Sequence, residues 1–575
     1  MRFFSQLYEK LVRGGFYKST VKRPLIEKVL EEVFDGVLIT QLPTGYGKTS
    51  IVYSTGLSTL FENNMFARVI HVLPLRTIID DAFRTFKEGL ERIGIKREST
   101  EKFTSRQMMH VPGSPFLNKP LVFTTVDTFL MHLLKIPPSE IRKIAFNEEL
   151  YGHYEFSRAA IFESLIVLDE PQQTIESGGK LRNILDEFSS FLYFLAVKAR
   201  VPMIIMSATI PKYLQRLTTE LMKNGVNVKI LKYGEEYNGF RFIDKDFQNE
   251  ELSKQITTNI YKCKGDTRSD GEIQIFVNKV KELSQSYERI LVTLNTVERA
   301  TRVFSKLDDA ILLHGRLIGR ERNNAISKLK GDRWILVATQ VIEAGVNISA
   351  QALVTDASSA NSLIQRAGRV ARFADDDEGI INIVFDENGL SDEKYHGVYN
   401  AGQVKDTIGV LIKSNKIGWR LPFISDGIGY QQLIDEVYKK DPIIYFDQKL
   451  YYFLENPFKS SKDMLNHMLT TSDILRLGRL INVVVSDDHL ELKLGEINSF
   501  LEENGYPANL ELIKRYSNLK LLAIKGEVVV TLDDQAEVKK ILSRMFPWLY
   551  MLHENIIAFQ VGREEYERLS YGFGA

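Results

Sequence analysis

The chain has little cysteine, no net charge and no long apolar segment. Cys263 is the only cysteine among 575 residues, so an intrachain disulfide and a cysteine-rich metal centre are both excluded. The 74 basic and 74 acidic residues cancel, which excludes a uniformly basic coat for nucleic acid but permits a locally basic groove. No apolar run approaches the roughly 20 residues that span a bilayer, and the first residues lack the apolar core of a signal peptide. These features favour a cytoplasmic protein.

The length and the pattern of apolar runs predict several α/β domains. A chain of this length, with 44% hydrophobic and 26% charged residues, is expected to form roughly two to four globular domains. Near-continuous apolar runs separated by amphipathic stretches predict parallel sheets covered by helices on both faces. The first set of runs reads "GVLIT", "ARVIHVLPL", "PLVFTT", "SLIVLDE" and "PMIIMSAT". A second set, which predicts a second α/β unit, reads "IQIFVN", "RILVTLN", "AILLHG", "WILVATQ", "ALVTDA" and "IINIVFD".

Changes in this pattern predict the domain boundaries. The first boundary is expected near residues 233–245, around "YGEEYNGFRF". After about residue 388 the pattern becomes more helical and irregular, with an α+β ending that includes "EVVVTL" and "IIAFQV". The third region carries no motif that indicates a function. The predicted domains are residues 1–235, 236–390 and 391–575.

Residues 41–50, "QLPTGYGKTS", have the features of a phosphate-binding loop. A strand that ends in a glycine-containing loop and then enters a helix presents backbone N–H groups to phosphate oxygens. Lys48 can reach the β- and γ-phosphates, and the Thr49 hydroxyl can bind Mg²⁺. The complete pattern has a glycine where this chain has Leu42, so a glycine-rich turn with a chance Gly-Lys-Thr is the alternative. The residues predicted to bind nucleotide are Thr44, Gly45, Tyr46, Gly47, Lys48, Thr49 and Ser50.

An acidic pair ends a later apolar run, "SLIVLDEPQ". A phosphate-binding loop needs a second, carboxylate-bearing strand that holds the metal and orients water. Asp169 is expected to hold Mg²⁺ through water, and Glu170 to polarise the attacking water. The alternative is a strand that simply ends in two solvated acids.

Two more polar segments follow later strands, where the ligands of open α/β sheets collect. The segment "MSATIP" supplies Ser207 and Thr209, which can hydrogen-bond toward the acidic pair. The segment "LIQRAGRVAR" supplies polar side chains that can share a helical face and stabilise charge on a phosphate. A surface arginine cluster is the alternative interpretation of this segment. Its polar residues are Gln365, Arg366, Arg369 and Arg372.

Taken in order, "PTGYGKT", "LDEPQ", "SAT", "TQVIEAGVNI" and "QRAGRVAR" resemble motifs I, II, III, V and VI of superfamily 2 helicases. The resemblance covers about residues 20–385 and implies two RecA-like parallel-sheet domains in tandem, followed by a C-terminal α+β or helical accessory domain. It also implies ATP in the cleft between the two domains, with Mg²⁺ on Thr49 and Asp169. The implied catalytic residues are Lys48, Asp169, Glu170, Gln365, Arg369 and Arg372, and the implied coupling residues are Ser207, Thr209, Glu343 and Arg366.

Several segments resemble more specifically the helicase of type I CRISPR interference, which follows the crRNA-guided surveillance complex. These segments are "VLPLRTIID", "VFTTVDTFL", "LVTLNTVERATRVF", "LHGRLIGRER" and "VATQVIEAGVNIS". In that family such loops contact single-stranded DNA or couple it to ATP, and movement runs 3′ to 5′. Contacts of this kind to the DNA backbone are sequence-blind, as a translocase requires. The implied DNA-contacting residues are Arg76, Thr125, Asn295, Thr296, His314, Arg316, Thr339 and Gln340.

The chain departs from the family pattern at three places. Gln172 stands where histidine is commoner, which could alter the coupling between hydrolysis and the DNA groove. Asn347 stands where aspartate is usual, so it is given no catalytic role. No adenine-reading glutamine is evident in "YKSTVKRPLIEKVLEE", which leaves Phe16 or Tyr17 as the candidate to stack on the base.

A nuclease domain of the HD type is not expected in this sequence. Such domains hold metals with clustered His and Asp residues, and the nine histidines here include no His-Asp dipeptide. Only about 35 residues precede the first predicted strand, too few for such a domain. The expected partners are therefore single-stranded DNA, a separate HD-type nuclease and the crRNA-guided surveillance complex. Two alternatives stay open: a superfamily 2 DNA or RNA helicase with another duty such as repair, and a nucleotide-dependent scaffold that binds DNA without translocating.

Overall fold

A computed structural model shows, within the described residues, three large sheets with packed helices and two two-stranded sheets. Two of the large sheets are almost entirely parallel. None of the helices within the described ranges combines the length and the apolar content of a membrane span. The residues that the structure describes are 3–17, 21–60, 65–74, 76–108, 111–146, 155–176, 181–237, 240–263, 270–343, 346–373, 375–391, 397, 399–439, 444–456, 460–471 and 480–571.

The first sheet has eight strands. They are β1 (Val37–Gln41), β2 (Arg68–Leu73), β3 (Thr104–Met108), β4 (Val111–Pro112), β5 (Leu121–Thr125), β6 (Ser164–Asp169), β7 (Met203–Ser207) and β8 (Val228–Lys232). Their order is β4-β3-β5-β2-β6-β7-β1-β8, and only the β3–β4 pair is antiparallel. All five apolar runs of the first predicted set form strands of this sheet. The strands β3 and β8 contain more polar residues and β4 has only two residues, so no apolar run indicates them.

The second sheet has six parallel strands. After the short pair β9 (Glu236–Tyr237) and β10 (Phe240–Arg241) come β11 (Gln255–Cys263), β12 (Arg289–Thr293), β13 (Ala310–Leu313), β14 (Trp334–Ala338), β15 (Ala352–Asp356) and β16 (Glu378–Asp386). The order in the sheet is β11-β16-β15-β12-β14-β13. The prediction that "IQIFVN" is a strand is wrong, because it lies in a helix (Asp270–Leu283) whose Ile273, Phe276, Val277 and Val280 are buried at helical spacing. The strand β11 stands in its place, and its mostly half-exposed residues form no continuous apolar run.

The third sheet lies near the carboxyl end of the chain and is mixed. After the short strands β17 (Ile417–Gly418) and β18 (Ile428–Gly429), its members are β19 (Leu480–Val485), β20 (Glu491–Lys493), β21 (Gly505–Asn509), β22 (Lys520–Lys525), β23 (Val528–Leu532) and β24 (Ile556–Val561). The order is β20-β23-β22-β24-β19-β21, with β19 and β24 parallel and the other pairs antiparallel. Two parallel sheets followed by this α+β unit confirm the predicted fold class.

Helices pack on both faces of each parallel sheet, as near-continuous apolar strands require. In the first part of the chain they are α1 (Phe3–Arg13), α2 (Pro24–Glu31), α3 (Thr49–Ser58), α4 (Arg76–Arg92), α5 (Arg97–Phe103), α6 (Val126–Leu133), α7 (Ile141–Phe146), α8 (Glu155–Phe162), α9 (Pro171–Glu176), α10 (Leu181–Tyr193) and α11 (Lys212–Lys223). The next are α12 (Lys245–Ser253), α13 (Asp270–Leu283), α14 (Val297–Phe304), α15 (Gly319–Lys328) and α16 (Ala360–Ala367). The last are α17 (Ala401–Lys413), α18 (Tyr430–Val437), α19 (Gln448–Glu455), α20 (Ser461–Thr471), α21 (Ile497–Asn504), α22 (Leu510–Ile513), α23 (Gln535–Leu542), α24 (Pro547–His553) and α25 (Arg563–Ser570).

Helices α17 and α18 belong to the hydrophobic core of the second sheet. Leu411 and Tyr430 share one buried cluster with Leu353 of β15 and Leu363 of α16. The predicted boundary at residues 390 and 391 thus precedes two helices that complete the second core. The division of the chain into domains at residues 1–235, 236–390 and 391–575 remains a prediction.

The third sheet is attached to both parallel-sheet units. On the second unit, Glu321 accepts hydrogen bonds of 2.7 Å from Tyr566 and 2.7 Å from Tyr571 and pairs with Arg563. On the first unit, Ile144 of α7 shares a hydrophobic cluster with Met468 of α20. The carboxyl-terminal unit therefore contacts both parallel-sheet units.

Candidate active site

The predicted phosphate-binding loop, residues 42–48 (the P-loop), joins β1 to α3 and exposes backbone at two glycines. Gly45 and Gly47 adopt φ angles of 81° and 99°, in the left-handed region that glycine enters without a Cβ clash. Tyr46 between them is 1% exposed, because its hydroxyl lies 2.9 Å from Asp244 Oδ2 and accepts a 3.2 Å hydrogen bond from the Leu25 amide. Tyr46 thus anchors the loop through its side chain and leaves only its backbone to a ligand.

Glu170 lies beside Lys48 because their strands are near neighbours. Strand β7 lies between β1 and β6, so the loops that follow these three strands meet at one edge of the sheet. Lys48 Nζ donates to Glu170 Oε1, while Ser207 Oγ and the Ala208 amide donate to the same carboxylate at 2.9 and 3.1 Å. Glu170 adopts a φ of 48°, a strained angle for a non-glycine residue that is commonest at functional sites.

Asp169 has one carboxylate oxygen that is available to a cation. Its Oδ2 lies 3.2 Å from His71 Nε2, whereas within the described residues Oδ1 is buried and has no hydrogen-bond partner. Thr49, the first residue of α3, is half-buried on the other side of the same loop. This donor set fits the magnesium ion that a bound nucleotide carries. Sequence reasoning missed His71, although a single polar residue in the apolar run "VIHVL" is a signal for it.

The segment after β7 connects Glu170 to the second unit. Thr209 Oγ1 donates to Asn361 Oδ1 of α16 at 2.6 Å, and Gln172 Nε2 donates to Glu170 and, at 3.4 Å, to Thr209 Oγ1. Gln172 is therefore part of the hydrogen-bonded connection between Glu170 and the second unit. Through Thr209 this connection reaches α16, the helix in which the arginine segment begins.

Glu176, at the end of α9, forms a buried polar cluster with the second unit. It accepts hydrogen bonds from Tyr438 at 3.0 Å, Tyr213 at 3.3 Å and Ser359 at 3.5 Å, and another from Asn361. Burial raises the pKa of Glu176 to about 7 in spite of these donors. The contact between the two units thus contains a carboxyl group that titrates near neutral pH.

We expect Glu176→Gln to change how stability depends on pH. Because the pKa of Glu176 is about 7 in the folded protein and near 4.3 in an unfolded chain, the folded state binds the extra proton between these values. The contribution of this group to stability is complete below about pH 4 and falls as pH rises through 7. Thermal melts should show that the free energy of unfolding of the variant, relative to that of the wild type, rises between pH 5 and pH 8. The expected rise is up to roughly 3 kcal/mol. The exposed Glu564→Gln variant is the control, and a wild-type-like pH profile in Glu176→Gln would contradict the expectation.

The arginine segment begins in α16 and continues beyond its end, and its two buried arginines bond within the second unit. Arg366 Nε pairs with Glu343 at 2.9 Å, and its Nη2 donates to Asn295 Oδ1 at 3.0 Å. Arg369 donates to the carbonyl oxygens of Ile342 and Glu343 at 3.0 and 2.9 Å. Burial lowers the pKa of Arg369 to about 10, so it stays charged at neutral pH.

One residue of this segment, Gly368, lies against the phosphate-binding loop. Gln365 is buried on α16, and Arg372 is half-buried, with its amide donating to Ser349 Oγ at 2.7 Å. A Cβ added to Gly368 would come 3.0 Å from Thr44 Oγ1. The loop 368–373 thus contacts the P-loop directly, and the glycine permits that approach.

The residues predicted to contact DNA differ in their exposure. Asn295, Thr339 and His314 are buried, with 2%, 1% and 1% of their surfaces exposed. Thr125 and Thr296 accept hydrogen bonds from backbone amides at the starts of α6 and α14. The half-buried residues among the predicted set are Thr296, Arg316 and Gln340, and the side chain of Arg76 lies outside the described residues.

For His314 the structure corrects the expectation of a direct DNA contact. Its Nδ1 accepts a 3.1 Å hydrogen bond from the Arg316 amide, so the proton is on Nε2, which donates to the Ser570 carbonyl at 2.7 Å. Burial lowers its pKa to about 4, which keeps the ring neutral. His314 fixes the turn that carries Arg316 and holds the carboxyl-terminal helix α25.

The base-stacking expectation for Phe16 is also corrected. Phe16 is 1% exposed and packs edge-on against Tyr53 and Phe86 in the core of the first unit. Tyr17 is half-buried, and its hydroxyl lies 3.3 Å from both Ser50 O and Ser54 Oγ of α3. The ring of Phe16 supports α4 instead of facing a nucleotide.

Two family models match the segments that carry these motifs. The model described as "DEAD/DEAH box helicase" matches residues 23–217. The model described as "CRISPR-associated nuclease/helicase Cas3, C-terminal" matches residues 271–375. These two segments make the chain similar to the CRISPR-associated superfamily 2 helicases. The match to the helicase model implies nucleotide binding.

Curated relatives of the chain include Cas3 proteins. The chain is 22% identical to the CRISPR-associated nuclease/helicase Cas3 of Methanothermobacter thermautotrophicus over 60% of its own length and 40% of that protein. It is 22% identical to the CRISPR-associated helicase Cas3 of Thermoproteus tenax, over 60% of the chain and 56% of that protein. The chain therefore spans about half of the length of these relatives.

Solved structures of Cas3 from T. fusca share the fold. The structure of T. fusca Cas3 covers 97% of this chain and 69% of its own, with a TM-score of 0.58 and 15% identity. The structure titled "Crystal structure of T. fusca Cas3-ATP" covers 88% of this chain and 66% of its own, with a TM-score of 0.57 and 15% identity. Within the described part of this chain, no group of three or more His, Cys, Asp or Glu side chains is arranged to hold a metal ion.

Proposed function

We propose that this chain is an ATP-dependent 3′–5′ single-stranded DNA translocase and helicase that acts in type I CRISPR interference. The observation that carries the proposal is the convergence of Lys48, Asp169 and Glu170 beside the loop 368–373 of the second unit. A site of this kind senses the γ-phosphate from both units at once. Hydrolysis then changes how the two units contact each other, which is the requirement for stepwise movement along a strand.

Each residue of the site has a defined role in this proposal. Lys48 and the backbone amides of the P-loop bind the phosphates, and Glu170 takes a proton from the attacking water. Thr49 and Asp169 would hold Mg²⁺, which would supply positive charge to the phosphate oxygens. The Lys48 ammonium compensates the buried Glu170 carboxylate. Arg369 and Arg372 stabilise charge that develops on the transferred phosphoryl group.

A cavity shared by all three units supports a path for the nucleic-acid strand. Its volume is about 560 Å³, and it lies between α4, α15, α21 and the segment at Asn347. Side chains of both charges line it, among them Arg84, Arg322 and Glu502. Contacts from its arginines to the phosphate backbone would be independent of sequence. His314, which holds α25 through the Ser570 carbonyl, also borders this cavity. The proposed strand path therefore lies next to α25.

ATP hydrolysis should be stimulated by single-stranded DNA. The site and the cavity both require the two units to be correctly apposed, so each ligand favours the arrangement that the other needs. The DNA concentration for half-maximal stimulation should rise with salt, because phosphate contacts release counterions. Phosphate release measured with and without oligonucleotide across a salt series is the test. Equal rates in the two conditions at every salt concentration would reject the motor.

Two alternatives are separated from this proposal by simple assays. A scaffold that binds DNA without moving would shift DNA mobility but fail to displace a strand from a 3′-tailed duplex in the presence of ATP. A helicase with another duty such as repair would unwind the same duplex but would not be loaded by a purified guide-RNA surveillance complex. Displacement from a 3′ tail and not from a 5′ tail tests the direction.

We also propose that DNA cleavage belongs to a separate HD-type nuclease, which acts beside this chain at the surveillance complex. The proposal is supported by the lack of any His-Asp dipeptide in the sequence. Incubation of the purified chain with labelled single-stranded DNA, ATP and Mg²⁺, Mn²⁺, Ni²⁺ or Co²⁺ should leave the DNA intact. Degradation that disappears when residues of this chain are mutated would contradict the proposal.

A further inference from the structure

Three charged residues outside the helicase motifs hold the loop 368–373 in place. They are Arg420, Glu251 and Lys254, whose exposed fractions are 3%, 6% and 8%. Neither family model covers them, since the matched segments are 23–217 and 271–375. We propose that this triad is the positioning device for the arginine loop of the ATPase site. The inference rests on the proposed function, because it assigns the loop to ATP hydrolysis.

The cations of the triad donate to successive carbonyl oxygens of the loop. Arg420 Nη1 donates to Gly368 O at 3.1 Å, and Arg420 Nη2 lies 3.5 Å from Arg372 O. Lys254 Nζ donates to the carbonyl oxygens of Ala371 and Phe373 at 3.0 and 3.2 Å. Buried side chains from elsewhere in the chain therefore contact the carbonyl oxygens at the start of the loop and along its second half.

The loop needs such support because its backbone is strained. Ala371 adopts a φ of 47°, in the left-handed region that costs a residue with a Cβ roughly 1 kcal/mol or more. A conformation of this kind persists only where surrounding contacts impose it. Arg372 directly follows Ala371, so the geometry of the strained residue sets the direction of the next side chain.

The anion of the triad connects the loop to the phosphate-binding loop. Glu251 forms a bidentate pair with Arg420, with distances of 2.7 and 2.8 Å, and lies 3.3 Å from Lys254 Nζ. Glu251 lies in the last turn of α12, and Asp244 at the start of the same helix is bonded to Tyr46 of the P-loop.

Arg420 also touches the P-loop directly. A Cβ added to Gly45 would lie 3.2 Å from Arg420 Nη2. The helix α12 and Arg420 thus tie the loop that binds phosphate to the loop that carries the arginines. This connection runs through residues that no helicase motif includes.

The test uses two variants that each leave Glu251 with a cationic partner. Arg420→Met keeps the pair of Glu251 with Lys254, and Lys254→Met keeps the bidentate pair with Arg420, so neither variant creates an isolated buried charge. In the full-length protein both should lower kcat for ATP hydrolysis about tenfold to a hundredfold, since small misplacements of a catalytic group have effects of this size. The Kd for a fluorescent ATP analogue should change less than about threefold, because the P-loop keeps its phosphate contacts. Hydrogen exchange in residues 366–373 should become faster in both variants.

The outcomes are distinguishable. Folded variants with a wild-type kcat and only a lower melting temperature would overturn the inference and leave a structural role for the triad. If Arg420→Met does not fold, Arg420→Lys takes its place, since lysine keeps the charge but lacks the planar fork, and a wild-type kcat there would overturn the inference equally. A wild-type protein without ATPase activity, with or without DNA, would instead overturn the proposed function. Arg13→Met, which removes a 79% exposed side chain paired with Glu9, is the matched control and should retain the wild-type kcat.

Discussion

Replacing Glu170 by glutamine will abolish steady-state ATP hydrolysis and leave nucleotide binding in place. The carboxylate is buried and fixed by Ser207 Oγ and the Ala208 amide at 2.9 and 3.1 Å, so the amide takes up nearly the same volume but cannot accept a proton from water. The loss of a positioned base lowers a rate about 10²- to 10⁴-fold, which is roughly 3–5 kcal/mol of barrier. Phosphate release and the affinity for a fluorescent ATP analogue are the measurements.

A neighbouring glutamate provides the control for this variant. Glu163 directly precedes β6, and its side chain is 68% exposed, so Glu163→Gln should hydrolyse ATP at the wild-type rate. Lys48→Ala should lose hydrolysis as well, but together with nucleotide affinity, because the phosphate charge is then uncompensated. Near-normal turnover by Glu170→Gln would mean that another residue activates the water.

Replacing Arg372 by alanine will lower kcat about a thousandfold or more, the effect that an arginine on a transferred phosphoryl group supplies. Arg372 lies in the loop that Gly368 brings against Thr44, and its side chain is half-buried. Arg369 in the same loop is engaged with the Ile342 and Glu343 carbonyl oxygens. Arg369→Ala should therefore lower both kcat and the melting temperature, whereas Arg372→Ala should lower kcat alone.

Kinetics and thermal melts of the two variants decide this difference. The exposed Arg333 in the second unit supplies the control, since Arg333→Ala removes an equal charge far from the loop. If Arg372→Ala hydrolyses ATP within about threefold of the wild type, the charge stabilisation comes from Arg369, and the assignment of Arg372 is wrong.

The sequence determined the fold class and the inner part of the candidate site. Buried parallel strands appear as continuous apolar runs, and the residues that follow such strands meet at one edge of the sheet. For this reason Lys48, Asp169, Glu170 and Ser207 could be assigned together from three separate segments, and the structure brings their side chains into one cleft. Half-exposed strands such as Gln255–Cys263 lack that pattern and were not indicated.

The tertiary structure alone decided which side chains serve the motifs and which are occupied elsewhere. His314 lies in a segment that predicts a DNA contact, but its ring donates to Ser570, 256 residues later in the chain. Arg420 bonds to Glu251 across 169 residues and to Gly368 across 52. A pattern in the sequence reports on neighbours in the same helix or strand. Partners brought together by packing leave no spacing that a sequence can show, because their distance is set by how the units fold against each other.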